Sequence, residues 1–261
     1  MGKIDDIQAY KEWTEYHRSL KRDKAADNLS PVERKKKLEK LEANVIEWIL
    51  FFFSEFAKYP FTKFHKKAIK RITTNMEWYE VLSWSRELAK STIVFMCMMY
   101  LVLTGKKKNV LLISNSHENA VRLLEPYKKA FESNSMLKAY YGDLREFGSW
   151  TADEFTLTTG ATFRAIGALE SPRGTRKDAV RPDTALVDDF DTDADCRNPD
   201  ILKKKWEWFE EALFPTRSIS EDLLVIFCGN LIALDCCVKR AGDKADHWDI
   251  CLLYTSPSPR D

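Results

Sequence analysis

The chain has 261 residues, a formal net charge of +1 and 44% hydrophobic residues, which is enough apolar material for one full core. Charged residues make up 31% with the two signs balanced, so composition alone does not indicate a nucleic-acid-binding protein. The six cysteines lack the spacing of a disulfide framework. The two apolar runs, at residues 45–53 and 92–103, are shorter than the roughly 20 residues that a membrane span needs.

The first 55 residues are predicted to form a helical N-terminal arm. Lysines and glutamates are mixed between residues 33 and 42, which is typical of a solvated amphipathic helix or, alternatively, of an arm that contacts a partner or DNA. Ser30 and Pro31 form a helix-start signal, because serine caps a helix and proline suits its first turn. The apolar run 45–53 predicts a buried helix.

Buried strands alternate with helices in the predicted domain at residues 56–250. The strands are predicted at 77–84, 109–114, 154–158, 162–166, 184–187 and 223–227, and the helices at 90–103, 117–132 and 200–213. This alternation predicts an α/β fold, with a mainly parallel sheet and helices on both of its faces. Residues 251–261 break off from any periodic pattern, and we expect them to be an unstructured, non-native tail.

Residues 85–91 lie between the first predicted strand and the helix after it. Backbone N–H groups at a helix start converge on phosphates. Lys90 would reach the β and γ phosphates, and the Ser91 hydroxyl would bind Mg²⁺. Trp84 and Ala89 occupy the glycine positions of the usual pattern, so a chance Lys-Ser pair at a helix start is the alternative. The candidate ATP contacts are Ser85, Glu87, Leu88, Ala89, Lys90 and Ser91.

The strand at 184–187 leads directly into a run of acids. Asp188 would bind Mg²⁺ with Ser91, and Asp189 would be the catalytic base that orients the attacking water. Because Asp189 is one methylene shorter than the glutamate usual in this role, Asp191 and Asp193 are alternatives. The same acids would also suit a loop that caps the next helix.

A third candidate element is the strand at 223–227, which Cys228, Gly229 and Asn230 follow. A polar residue at the tip of a strand can sense the γ phosphate, although an ordinary strand-to-loop turn has the same pattern. All three elements lie at the carboxyl ends of buried strands, where open parallel sheets bind ligands. Together they predict a P-loop NTPase fold of the RecA/ASCE-like type that uses ATP and Mg²⁺.

Four segments of the chain resemble the ATPase part of the large terminase subunit of tailed bacteriophages. They are the arginine-bearing, glycine-poor loop at 85–91, the Arg-Gly segment at 171–176, the Arg-Pro-Asp lead at 181–189 and the coupling motif at 227–230. The resemblance covers residues 56–250. It implies a motor that hydrolyses ATP to drive double-stranded viral DNA into a procapsid.

The resemblance also implies roles for residues outside the loop and the acidic strand. Arg86 would stabilise charge on the γ phosphate, and Gly229 and Asn230 would couple hydrolysis to movement. Arg173 and Arg176 would be a sensor or an arginine finger acting on a neighbouring subunit, unless they contact only solvent or DNA. The implied partners are double-stranded DNA, the portal protein, the small terminase subunit and further copies in a ring, in the host cytoplasm and without a membrane.

Family members normally carry a second, nuclease domain after the ATPase domain. Only about 30 residues follow Asn230, too few for a domain, so we expect a truncated chain without nuclease activity. One alternative function is a helicase-like DNA-dependent ATPase, which would require a second RecA-like domain. The other is an assembly protein that binds nucleotide without turnover.

Overall fold

A computed structural model describes residues 29–57, 59–171, 181–213 and 222–251. Its α-helices are α1 (Pro31–Glu42), α2 (Val45–Phe52), α3 (Lys63–Thr74), α4 (Lys90–Leu103), α5 (His117–Ser133), α6 (Ser135–Tyr141), α7 (Asp193–Cys196), α8 (Pro199–Glu207) and α9 (Cys237–Gly242), and a π-helix at Trp208–Leu213 continues α8. Its strands are β1 (Trp78–Trp84), β2 (Asn109–Ser114), β3 (Glu154–Thr156), β4 (Thr162–Gly167), β5 (Thr184–Asp188), β6 (Leu224–Cys228) and β7 (His247–Cys251).

The strands form a seven-stranded sheet in the order β3-β4-β2-β5-β6-β1-β7. Every neighbouring pair is parallel except β3 and β4, which are antiparallel. The predicted mainly parallel sheet is therefore confirmed. Strand β6 lies between β1 and β5, although it follows both in the chain.

Helices cover both faces of the sheet, because successive strand residues point to opposite sides. Leu82 and Leu112 join a core cluster that includes α2 to α6, whereas Val81 and Leu111 join a second cluster with α8 and α9. Helix α4 is apolar on nearly all sides, with ten consecutive buried residues, which is typical of a helix enclosed between a sheet and other helices. This arrangement confirms the predicted α/β class.

The described part of the predicted N-terminal arm consists of α1 and α2. Most residues of α1 are exposed, but α2 is packed into the core, where the fully buried Trp48 lies edge-on to Tyr100 of α4 at 5.3 Å. The Trp48 Nε1 donates a hydrogen bond of 2.8 Å to the Tyr141 hydroxyl. Helix α2 thus packs against α4 as part of the same hydrophobic core. Residues 1–28 of the predicted arm lie outside the described residues.

Two features at the end of the described chain extend the sequence prediction. Strand β7 has no counterpart in the predicted elements and pairs with β1 in parallel, with Cys251 opposite Trp84. Cys251 is the first residue of the predicted tail, and residues 252–261 lie outside the described part of the chain. Among the described residues, none of the helices combines the length and the apolar character needed to cross a membrane.

Lys107 joins three strands at the edge of the sheet opposite to their carboxyl ends. Its side chain is buried, with 2% exposure, and Nζ donates hydrogen bonds to three carbonyl oxygens. These belong to Met76 at 2.8 Å, Asp183 at 3.1 Å and Asp222 at 2.9 Å, just before β1, β5 and β6. One ammonium group therefore fixes the starting points of the three strands that carry the candidate site.

Candidate nucleotide site

The sheet brings the predicted site elements to one edge. Strands β1, β6 and β5 are adjacent and parallel, so their carboxyl ends meet. Cys228 at the end of β6 is in register with Leu82 of β1 and with Asp188 of β5. The loop at 85–89, which follows β1, therefore lies one strand away from the acidic end of β5.

Ser91 and Asp188 are in direct contact across this edge. The Ser91 hydroxyl donates a hydrogen bond of 2.6 Å to Asp188 Oδ2, and the Asp189 backbone N–H donates to Asp188 Oδ1 at 3.1 Å. Ser91 is in the first turn of α4, and Asp188 is the last residue of β5. The structure thus brings the two predicted magnesium ligands to within hydrogen-bonding distance of each other.

The Asp188 carboxyl group is largely removed from solvent, with 8% exposure of the residue. Its pKa is raised to about 6, mainly because burial disfavours the charged form; the nearby Asp189 also acts to raise the pKa, while the Ser91 hydrogen bond and the Lys90 charge act to lower it. A buried carboxylate is costly unless a cation or hydrogen-bond donors compensate its charge. A hydroxyl and a carboxylate are hard oxygen ligands of the kind that Mg²⁺ prefers, so this pair fits the predicted ion.

Lys90 contacts the polar tip of β6. Its Nζ donates a hydrogen bond of 3.3 Å to Asn230 Oδ1, two residues beyond the end of the strand. Gly229, between the strand and Asn230, donates from its N–H to the Leu82 carbonyl at 3.2 Å. A Cβ on Gly229 would lie 2.2 Å from Val238 Cγ2, so close packing against α9 requires glycine here. The predicted coupling residues are therefore placed beside the predicted phosphate-binding lysine.

The loop between β1 and α4 is compact although it contains no glycine. The Leu88 N–H donates to the Ser85 carbonyl at 3.4 Å, and the Ser85 N–H donates to the Cys251 carbonyl at 2.8 Å. Glu87 and Ala89 have left-handed backbones, with φ of 70° and 57°. Side chains other than glycine adopt this conformation at a cost of about 1–2 kcal/mol each. The loop therefore stores backbone strain that its surroundings must offset.

The three candidate catalytic acids have different environments. Asp189 is exposed, has a φ of 46°, and its carbonyl accepts a hydrogen bond of 3.3 Å from the Asn115 N–H. Asp191 is engaged elsewhere, because its Oδ2 accepts a hydrogen bond of 2.9 Å from the Val238 N–H at the start of α9. Asp193 is exposed in the first turn of α7. Of the three, Asp189 is nearest to Asp188 along the chain and has an exposed side chain.

Of the predicted arginines, Arg86 alone lies among the described residues, and none of the hydrogen bonds given above involves its side chain. Arg86 is exposed in the loop, next to the exposed Glu87. Arg173 and Arg176 lie outside the described residues. Asn115, which follows β2 and holds Asp189, was missed by sequence reasoning. The signal that could have found it is the one used for Asn230, a polar residue at the end of a buried strand.

A cavity of about 390 Å³ lies away from this site. Trp78, Phe209 and Lys244 are among the residues that line it, at the amino ends of β1 and β6. Because Asp188 ends β5 and Lys90 follows the loop at the carboxyl end of β1, the cavity is on the opposite edge of the sheet.

Comparison with solved structures identifies the same fold in a phage protein, whereas no protein-family model and no curated protein matches the chain. The crystal structure of the HK97 bacteriophage large terminase aligns with a TM-score of 0.52 at 15% identity, over 84% of this chain and 45% of that one. The Thermus phage P74-26 large terminase ATPase domain aligns at a TM-score of 0.42 and 16% identity, over 68% of this chain and 67% of that domain. The HK97 alignment confirms the predicted fold, and the present chain spans less than half of that terminase.

Proposed function

We propose that this chain is the ATP-hydrolysing motor domain of a DNA-packaging terminase. The hydrogen bond of 2.6 Å between Ser91 and Asp188 carries the proposal. These residues are 97 positions apart, and each was selected from sequence for the same magnesium ion. Their contact, with Lys90 alongside, supports a site built for a nucleotide triphosphate tail.

Each side chain has a role that follows from its place. Lys90 and the exposed Arg86 would bind the phosphates and neutralise charge that develops on the γ phosphate. Ser91 and Asp188 would hold Mg²⁺, which when bound supplies further charge neutralisation. The exposed Asp189 would orient the attacking water by accepting its hydrogen bond. The backbone of residues 85–89 would surround the β and γ phosphates.

Gly229 and Asn230 would report the state of the nucleotide. In the described structure, Asn230 accepts a hydrogen bond from Lys90, which is also the predicted ligand of the phosphates. A bound triphosphate would compete for the same ammonium group and so weaken its bond to Asn230. Because Gly229 packs directly on Val238, movement at the tip of β6 would be transmitted to α9.

Helix α3 offers a surface that fits the phosphates of duplex DNA. Four lysines at helical spacing share one exposed face: Lys63, Lys66, Lys67 and Lys70. The helix contains no acidic residue, although the whole chain has a net charge of only +1. The four positions span about 10 Å along the helix axis. We call them the lysine face, and we propose that it grips the DNA backbone.

The remaining partners are those implied by the sequence resemblance to large terminase subunits, and they are part of the same proposal. The motor would act in the host cytoplasm as a ring of copies, together with a portal protein and a small terminase subunit. Arg173 and Arg176 would act as a sensor or as an arginine finger towards the neighbouring copy.

Substitution of Lys90 by alanine tests the enzymatic part. ATP hydrolysis by the parent should be detectable and stimulated by duplex DNA, whereas Lys90→Ala should lower the rate at least about 100-fold by removing a charge that stabilises the transition state. Lys203→Ala, an exposed lysine of α8, is the control and should leave the rate unchanged. Undetectable hydrolysis in the parent, with no further change in Lys90→Ala, would indicate an assembly protein without turnover.

Salt dependence tests the lysine face. Substituting all four of its lysines by glutamine should make the plot of log affinity for duplex DNA against log salt concentration less steep by about 3.6 units, at about 0.9 for each of four phosphate contacts. The control carries the same charge change on other exposed lysines: Lys108, Lys129, Lys203 and Lys204. Equal slopes for the two variants would refute the lysine face, and no DNA binding by the parent would refute the motor.

A further inference from the structure

A histidine from α3 contacts the loop at 85–89 from outside the nucleotide site. His65 Nε2 is 3.0 Å from the carbonyl oxygen of Leu88. On the other side of the ring, Nδ1 accepts a hydrogen bond of 3.3 Å from the Thr62 N–H at the start of the same helix. Both ring nitrogens therefore have backbone partners.

These two partners determine the tautomer of the ring. A backbone N–H can only donate, so Nδ1 must be the unprotonated nitrogen, and the proton of the neutral ring is on Nε2. A carbonyl oxygen can only accept, so this Nε2–H donates to Leu88. Burial lowers the pKa of His65, which favours the neutral form that this arrangement uses.

The ring is held in place by its neighbours. It packs against Phe64 at 4.1 Å and against Trp84 at 5.5 Å, measured between ring centroids. Six residues further along α3, Arg71 Nη2 donates to Glu80 of β1 at 2.7 Å and to Asp249 of β7 at 2.6 Å. Helix α3 is thus fixed to the sheet, and the imidazole is a rigid donor.

The bonded carbonyl lies at the most strained point of the loop. Leu88 is flanked by Glu87 and Ala89, the two residues with left-handed backbones. In a planar trans peptide, the C=O of one residue and the N–H of the next point in opposite directions. The bond from His65 to the Leu88 carbonyl therefore also fixes the direction of the Ala89 N–H, which it turns away from the histidine.

We propose that His65 is a positioning residue that keeps this glycine-free loop in its phosphate-binding shape. The proposal rests on the proposed function, since it assigns the loop to a nucleotide. Where other loops of this kind use glycines that adopt the required angles freely, this chain uses an external donor to stabilise them. Without that donor, only a fraction of molecules would have the competent loop, and apparent nucleotide affinity would fall by that fraction.

Two substitutions of His65 separate the donor from the ring. His65→Phe keeps an aromatic ring but removes the donor, whereas the amide of His65→Gln can again place a donor near the Nε2 position. Hydrogen–deuterium exchange of the peptide covering residues 85–91, measured without nucleotide, should become about tenfold faster in His65→Phe and remain near the parent in His65→Gln. His117→Phe, a half-exposed histidine of α5, is the matched control and should not change this exchange.

Nucleotide titrations complete the test. His65→Phe should raise the KM for ATP about tenfold and leave kcat within about twofold, because saturating ATP selects the competent loop. Equal hydrogen–deuterium exchange in His65→Phe and the parent would overturn the proposal. An increase in exchange in His65→Gln as large as that in His65→Phe would overturn it as well. If the exchange results are as expected but the parent fails to bind ATP, the proposed function is wrong while the support from His65 stands.

Discussion

The candidate phosphate loop and the end of β5 meet at one edge of the sheet, but the free-energy cost of the native structure has a different physical origin in each region. In the loop the cost is conformational, because Glu87 and Ala89 have left-handed backbones without being glycine. At the end of β5 the cost is electrostatic, because Asp188 is a buried carboxyl whose pKa is raised to about 6. Hydrogen bonds from His65 and Ser91 compensate part of each.

This difference indicates which substitutions separate stability from activity. A strained backbone is relieved by glycine, which keeps the loop and its N–H groups intact. A buried charge is relieved by a neutral side chain, but that change removes the group that would bind the cation. The end of β5 should therefore show a strong trade-off between stability and activity, and the loop only a weak one.

The largest expected effect is on catalysis at β5. Asp188→Asn should lower ATP hydrolysis at least about 100-fold, because the amide cannot supply the negative charge that would hold Mg²⁺ in the proposed site. Measuring the rate at several Mg²⁺ concentrations will show whether excess ion restores it. Asp200→Asn, an exposed acid in the first turn of α8, is the control and should retain the parent rate. Full activity in Asp188→Asn would show that the end of β5 has no stronger trade-off between stability and activity than the loop.

The same substitution should stabilise the folded protein in the presence of EDTA. A pKa raised from about 4 to about 6 corresponds to about 2–3 kcal/mol at neutral pH. Asp188→Asn avoids that penalty, so its free energy of unfolding should exceed that of the parent at pH 7. Denaturant unfolding of both proteins measures the difference, and a less stable variant would contradict the electrostatic assignment.

The stability difference should also depend on pH in one direction. Well below pH 4, the Asp188 carboxyl binds a proton in the folded and the unfolded protein, so the free energies of unfolding of the parent and Asp188→Asn should differ least. Between about pH 4 and pH 6 the unfolded chain has lost this proton while the folded protein keeps it, so the parent loses stability as pH rises. Above about pH 6 the difference should become constant. A difference that shrinks as pH rises would refute the assignment.

The smallest expected effect is in the loop. Ala89→Gly should increase the free energy of unfolding by about 0.5–1 kcal/mol, since glycine adopts a φ of 57° without steric cost. The matched control is Ala139→Gly in the right-handed helix α6, which should destabilise by about 1 kcal/mol. If both substitutions destabilise equally, the loop is not strained in the way described.

Sequence patterns predicted the elements that are buried on all sides. Strand β2 and helix α4 were predicted with the bounds that the structure has, because their nearly continuous apolar runs have few alternative interpretations. Helices α3, α6, α7 and α9 and strand β7 were not predicted. Strand β7 pairs with β1 only and contains His247 and Asp249, so its sequence has no clear apolar signal.

Local patterns also predicted the residues of the candidate site better than the strand order and the contacts that hold these residues in place. Lys90, Ser91 and Asp188 were selected because each follows or ends a buried strand, and the structure places them together. The order of strands, with β6 between β1 and β5, depends on long-range pairing that no local window contains. The contact between His65 and Leu88 depends in turn on where α3 packs, so the sequence offered no direct signal for it.

The three carbonyl groups bonded to Lys107 restrict how this protein can move. Sliding β1, β5 or β6 by one residue would break at least one of those bonds and leave a buried ammonium group under-coordinated, at a cost of several kcal/mol. Nucleotide-driven motion should therefore leave the strands in register and take place at their far ends. Any mechanical stroke would then be a lever-like swing of loops and outer helices about a stationary sheet.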